Sequence, residues 1–158
     1  MGSEFTHLDS SGAARMVDVS AKNVSARTAR ASGFVRLSAR TVEIIRSGEV
    51  PKGDAIAVAR IAGIMAAKRT PDLVPLCHPI AVHGVEVDLQ IEDGGVAITA
   101  QVRTADRTGV EMEALTSVMV TALALIDMVK SADPAAVVTD VRVEEKTGGK
   151  TGTWTRGS

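Results

Sequence analysis

Aromatic residues are nearly missing from this chain: they make up 2% of its 158 residues, with no tyrosine, two phenylalanines and one tryptophan. A core must therefore be built from Ala, Val, Ile, Leu and Met. The same poverty argues against single-strand nucleic-acid binding, which relies on bases stacking on aromatic rings. A single cysteine, Cys77, excludes an intrachain disulfide framework and any CxxC metal site. No apolar run approaches the ~18 uncharged residues of a membrane-spanning helix, so no span and no membrane partner is expected. The start has no signal-peptide pattern, which makes the cytoplasm the expected compartment.

What is present is ordinary for one globular domain: 45% hydrophobic and 23% charged residues, enough chain for a sizeable core. The net charge of −1 is unevenly spread. Residues 1–70 hold 11 Lys and Arg against 6 Asp and Glu, whereas residues 71–158 hold 7 against 13. The first half can thus supply cations to an anionic small molecule. Met1-Gly2-Ser3-Glu4-Phe5 reads as a cloning remnant, residues 6–152 as one domain and 153–158 as a C-terminal tail.

Residues 6–27 are polar and weakly periodic, an arm around Met16-Val17-Asp18-Val19-Ser20. A strand is predicted over 28–37. Ser38 should cap a helix through Arg46 that Gly48 ends. Asp54 should cap a second helix over 55–69, stopped by Pro71. That helix is rich in Ala and Gly, which permits close packing, and its Arg60 needs either a partner or a surface position. Alternation over 82–92 predicts a half-buried strand, Asp93-Gly94-Gly95 a hairpin turn, and 96–102 the returning strand. A long helix over 109–131 and a last strand over 137–143 complete an α+β sandwich, an antiparallel sheet covered by helices.

The long helix places Glu111 and Glu113 at one end of an apolar rod, and Asp127 and Lys130 at the other. Buried charges are costly unless paired, so a helix with charges at both ends is a candidate site. Asp127 and Lys130 lie three residues apart and can pair. Glu113 and Asp127 project within ~40° of one another but ~21 Å apart along the axis. One small ligand cannot easily reach both in one subunit, so two functional ends imply an oligomer.

Leu76-Cys77-His78-Pro79 forms a loop stiffened by Pro75 and Pro79, a common setting for binding residues. Cys77 and His78 point apart in extended chain, which disfavours a nucleophilic dyad. Lys52-Gly53-Asp54 sets an amine beside a helix start, where it can serve as acid or base. Lys146-Thr147-Gly148-Gly149-Lys150-Thr151-Gly152 reads as a flexible basic tail. It lacks the Walker A spacing, yet it can close over an anion.

Eight ordered motifs (MVDVS at 16–20, KGD at 52–54, ARIAGI at 59–64, AAKRT at 66–70, LCHP at 76–79, TGVEMEAL at 108–115, DMxK at 127–130 and KTGGKTG at 146–152) resemble the cyclic pyranopterin monophosphate synthase family, MoaC, of molybdenum cofactor biosynthesis. The resemblance spans residues 6–152. It implies a ferredoxin-like α+β fold and a homohexamer, a trimer of dimers with sites at the dimer interface. The implied reaction converts 3′,8-cyclo-7,8-dihydro-GTP to cyclic pyranopterin monophosphate and pyrophosphate. By motif match Asp127 falls on the proposed catalytic aspartate, and Lys52 and Lys130 on lysines with acid–base roles. Leu76, Cys77, His78, Met112 and Glu113 match substrate-contacting segments. Glu111, Lys146, Lys68 and Arg69 would complete the pocket. Val129 departs from the family, in which many members carry Cys.

The implied chemistry suits these residues. Cations neutralise charge on a departing pyrophosphate, and paired Lys and Asp move protons during ring rebuilding. No resident cofactor or metal is expected, although magnesium can accompany the triphosphate. Two other readings compete. One is a non-catalytic nucleotide- or pterin-binding subunit, against which intact Lys52, Asp127 and Lys130 count. The other is a metal-dependent hydrolase using His78, Glu111 and Glu113, against which the lack of HxH and HExxH counts.

Overall fold

The computed structural model describes residues 6–157. The supposed cloning remnant at 1–5 and the final Ser158 lie outside the described residues. The elements run β1 (Ser25–Arg36), α1 (Ala39–Ser47), α2 (Ala55–Lys68), α3 (Thr70–Leu73), β2 (Gly84–Glu92), β3 (Gly95–Asp106), α4 (Glu111–Val129), β4 (Val137–Thr147) and β5 (Trp154–Thr155). The strands form one antiparallel sheet in the order β2-β3-β1-β4-β5. The chain is an α+β protein, a five-stranded antiparallel sheet with four helices among the described residues.

Strand alternation decides which face is covered. Ala29, Ala31 and Val35 of β1, with Val96, Ile98, Ala100 and Val102 of β3, are buried, while Arg30 and Gln101 are only partly so. Their apolar side chains meet Val118, Ala122 and Leu125 of α4 in one cluster. The core is aliphatic throughout, as the lack of aromatics requires. Gly33 of β1 lies under α4, where a Cβ would come within 2.7 Å of Val118. α4 therefore sits unusually close to the sheet.

Capping follows the sequence. Ser38 Oγ accepts from the Thr41 amide at 3.2 Å, and Asp54 Oδ1 accepts from the Ala57 amide at 3.0 Å. Gly48 ends α1 in the left-handed region at φ 74°. Pro71 does not simply stop the second helix. The helix ends at Lys68, and Pro71 opens the short turn α3, because its fixed φ and missing N–H suit a helix start. Strands β3 and β4 each run four residues further than the sequence pattern suggests, to Asp106 and Thr147. The tail expected to be flexible begins in β4, turns at Gly148 and Gly149 and pairs back, Lys146 with Trp154.

α2 and α4 pack antiparallel against each other through small residues. A Cβ on Gly63 would lie 1.9 Å from Thr121 Oγ1, and Ser117 Oγ donates to the Gly63 carbonyl at 2.9 Å. Arg60 is held by its Nε donating to the Val87 carbonyl at 3.1 Å, so it ties α2 to β2 and is half-buried. α4 is the one helix among the described residues with the length and apolarity to cross a membrane, and half of that stretch is buried inside this fold.

Candidate active site

Antiparallel packing of α2 and α4 creates two chemical ends. At the C-terminal end of α4 the loop entering α2 delivers Lys52. Its Nζ donates to the Asp127 carbonyl at 3.0 Å and to Asp127 Oδ1 at 3.3 Å. Lys130 Nζ reaches the same oxygen at 2.8 Å. The two ammonium groups hold the Asp127 carboxyl below its ordinary range, with Lys130 contributing most. All three side chains stay about half exposed, so only one of the four α4 charges, Glu113, is truly buried.

At the other end, α3 returns the chain so that Leu76, Cys77 and His78 face the start of α4. They line a cleft of about 450 Å³ with Glu111, Met112 and Glu113. Cys77 Sγ donates to Glu113 Oε1 at 3.4 Å. Burial raises the Glu113 carboxyl above the usual range, and its Oε2 has no hydrogen-bond partner. Burial and the neighbouring carboxyl push the Cys77 thiol up to about 12, so it stays protonated at neutral pH and is no nucleophile. His78 Nε2 donates to the Val17 carbonyl, which can only accept, and this fixes the proton on Nε2. Lys146 pairs with Glu111 at 3.3 Å at the cleft edge.

The expected residues thus fall into two groups. Leu76, Cys77, His78, Glu111, Met112, Glu113 and Lys146 come together at one end, whereas Lys52, Asp127 and Lys130 form the other. None of the second group lines the cleft of the first. Lys68 and Arg69 are exposed at the end of α2 and do not line it either. Sequence reasoning assigned no role to His7, Val17 or Lys22, which the polar arm brings to the cleft. The excess of cations in the first half was the only signal for Lys22. Among the described residues no three His, Cys, Asp or Glu side chains gather as a metal site.

Residues 16–149 match the MoaC family. The chain belongs to the MoaC family. A Streptomyces coelicolor relative named cyclic pyranopterin monophosphate synthase is 68% identical over 152 residues, covering 96% of this chain and 89% of its own. A Nocardioides relative of the same name is 64% identical, covering 96% of this chain and 95% of its own. A Mycobacterium tuberculosis protein named cyclic pyranopterin monophosphate synthase 2 is 57% identical, covering 97% and 92%. Membership in MoaC, among relatives named as synthases, makes the chain an enzyme. Both ends of α4 lie within the matched residues.

Proposed function

We propose that this enzyme is a cyclic pyranopterin monophosphate synthase of molybdenum cofactor biosynthesis, acting on 3′,8-cyclo-7,8-dihydro-GTP in the cytoplasm. The observation that carries the reading is the Lys52–Asp127–Lys130 cluster, one carboxylate holding two ammonium groups within 3.3 Å. Such a cluster can give and take protons on either side of a carboxylate that fixes their geometry.

In the proposed reaction a substrate hydroxyl oxygen attacks the innermost phosphorus. The bond from that phosphorus to the oxygen bridging to the next phosphate breaks, and pyrophosphate leaves. The hydroxyl proton passes to the lysine–aspartate cluster. Lys52 and Lys130 relay protons during ring rebuilding, and Asp127 orients Lys130. His78 and Glu113 hold the base and sugar in the cleft, with Leu76, Cys77 and Met112 as its walls and Glu111 and Lys146 at its rim. The deep, unpartnered Glu113 Oε2 supports a recognition role, because a ligand donor would satisfy it. Magnesium would enter with the triphosphate.

The site is shared between subunits of a homohexamer, a trimer of dimers, and the fold is ferredoxin-like. Two observations support the sharing. The clusters stand at opposite ends of a 19-residue helix, and one subunit cannot close ~21 Å. Large apolar side chains also remain exposed on the two packed helices: Ile61 and Met65 of α2, Met119 and Leu123 of α4. A second copy would cover that stripe. Incubation of the enzyme with the cyclic dihydro-GTP substrate tests the function. Cyclic pyranopterin monophosphate and pyrophosphate in equal amounts are expected, and neither should appear with the Lys52→Ala variant. Full turnover by that variant would refute the assignment.

A further inference from the structure

Glu113 and Asp133 are the two buried acids among the described residues. Glu113 belongs to the cleft, whereas Asp133 follows Lys130 by three residues and takes no part in the chemistry above. A buried carboxyl is costly unless it is hydrogen-bonded. Asp133 finds its partner far off in the chain: its Oδ2 accepts from the Ser38 amide at 2.7 Å. That amide stands at the start of α1, which has no acid in its own first turn. The Asp133 carboxyl therefore supplies the group that a helix N-terminus favours.

Both ends of this bond lead to the lysine cluster through stiff chain. On one side, the Ala132 and Asp133 amides donate to the Val129 carbonyl at 2.9 and 3.0 Å, so the backbone stays coiled past Lys130. On the other, Ser38 Oγ caps α1, and the Gly48 and Glu49 amides close its far end on the Ile45 and Ile44 carbonyls. The Gly53 amide then donates to the Val50 carbonyl at 3.0 Å, a tight turn with Pro51 and Lys52 at its centre. Lys52 is thus displayed by a rigid run that begins at Ser38.

Between the two runs lies a cavity of about 240 Å³, with Arg40, Ile44 and Pro51 on one wall and Met128, Val129 and Ala132 on the other. Side chains facing a gap lose the packing contacts that would fix their spacing. Among the described residues, the hydrogen bonds joining residues 38–52 to residues 127–136 are the Ser38–Asp133 bond and the two from Lys52 itself.

We propose that Asp133 is a positioning residue: its bond to Ser38 clamps the α1 run to the end of α4 and so keeps Lys52 on Asp127 beside Lys130. Its effect on turnover rests on the synthase reading above, whereas the clamp rests on the geometry alone.

Steady-state kinetics of Asp133 variants, paired with NMR titration of the Asp127 carboxyl, test the clamp. Asp133→Ala should lower kcat about ten- to a hundredfold, the cost of a catalytic group displaced by about 1 Å. KM should stay within about twofold, because the cleft lies at the opposite end of α4. In the same variant Asp127 should titrate nearer its ordinary 3.8, since Lys52 no longer holds it down. Asp133→Asn keeps an oxygen that accepts from Ser38 and should restore both properties. Asp133→Glu displaces the carboxyl by one methylene and should move both in the same direction as Ala, which keeps the test open if Asp133→Ala fails to fold. Val102→Ala, a core truncation at the far end of β3, should melt lower with Asp127 titrating as in wild type. Unchanged kcat or unchanged Asp127 titration in the Ala and Glu variants of an active enzyme overturns the positioning role, as does a loss in Asp133→Asn equal to that in Asp133→Ala. An upward Asp127 shift in Asp133→Ala, where even the wild type makes no product, would leave the clamp standing and remove the synthase reading.

Discussion

Lys52 and Asp127 stand 75 positions apart in the chain, yet the ammonium of one donates to both the backbone carbonyl and the carboxylate of the other. Two helices make this contact. Gly63 lets α2 press against Ser117 and Thr121 of α4, and the antiparallel pair then brings the loop before α2 to the end of α4. The same pairing sends the far end of α2, through α3, to Cys77 and Glu113.

Asp127→Asn keeps the side chain's shape and removes the charge that holds both lysines. Turnover should fall by about 10²–10⁴, the usual worth of positioned acid–base groups. Thermal stability should stay near that of wild type, because exposed ion pairs contribute little. Steady-state product formation and a melting curve on the same sample check the pair of expectations.

Gly63→Ala puts a methyl group 1.9 Å from Thr121 Oγ1. Overpacking of this kind costs about 1–3 kcal/mol. A lower urea midpoint is expected, with activity falling because both ends of the helix pair shift together.

Glu113 gives a pH dependence whose sign follows from burial. Its folded-state pKa is raised above the ordinary 4.5. Above 4.5 the unfolded chain releases a proton that the folded chain retains, so stability is full below that pH and declines as pH rises through the raised value. Comparing urea midpoints across pH 5 to 8 checks this: wild type should lose stability with rising pH, and Glu113→Gln should lose less. A steeper decline in the variant would contradict the buried-carboxyl reading.

Cys77 should resist alkylation. With its thiol pushed up to about 12, little thiolate exists at pH 8, and iodoacetamide should react at least about a hundredfold more slowly than with a free thiol.

Much of this was legible in the chain. Ser38, Gly48 and Asp54 announced helix ends by local hydrogen-bond chemistry, and alternation over Val85 to Ile91 announced β2. Asp127 and Lys130 were readable as a pair because three positions on a helix are neighbours. The contact of Lys52 with Asp127 was not readable from spacing, since it depends on how closely Gly63 lets two helices approach. Nor was the burial of Glu113 against the exposure of Asp127, because both project on one side and only the surrounding chain separates them. The arm's delivery of Val17 and Lys22 to the cleft left no periodic trace. The hairpin after Thr147 was hidden by its glycines, which read as flexibility but instead supply the left-handed turn into β5.

Subunit complementation tests the shared site most directly. Asp127→Asn and His78→Ala alter opposite ends of α4, and each alone should be inactive. Mixed after partial unfolding and reassembly, they should form hetero-oligomers in which some sites draw both intact ends from different chains. Random pairing at a two-fold interface then predicts about a quarter of wild-type activity. Hetero-oligomers that form and show no activity beyond the separate variants would contradict a site built from the two ends of α4 in different subunits.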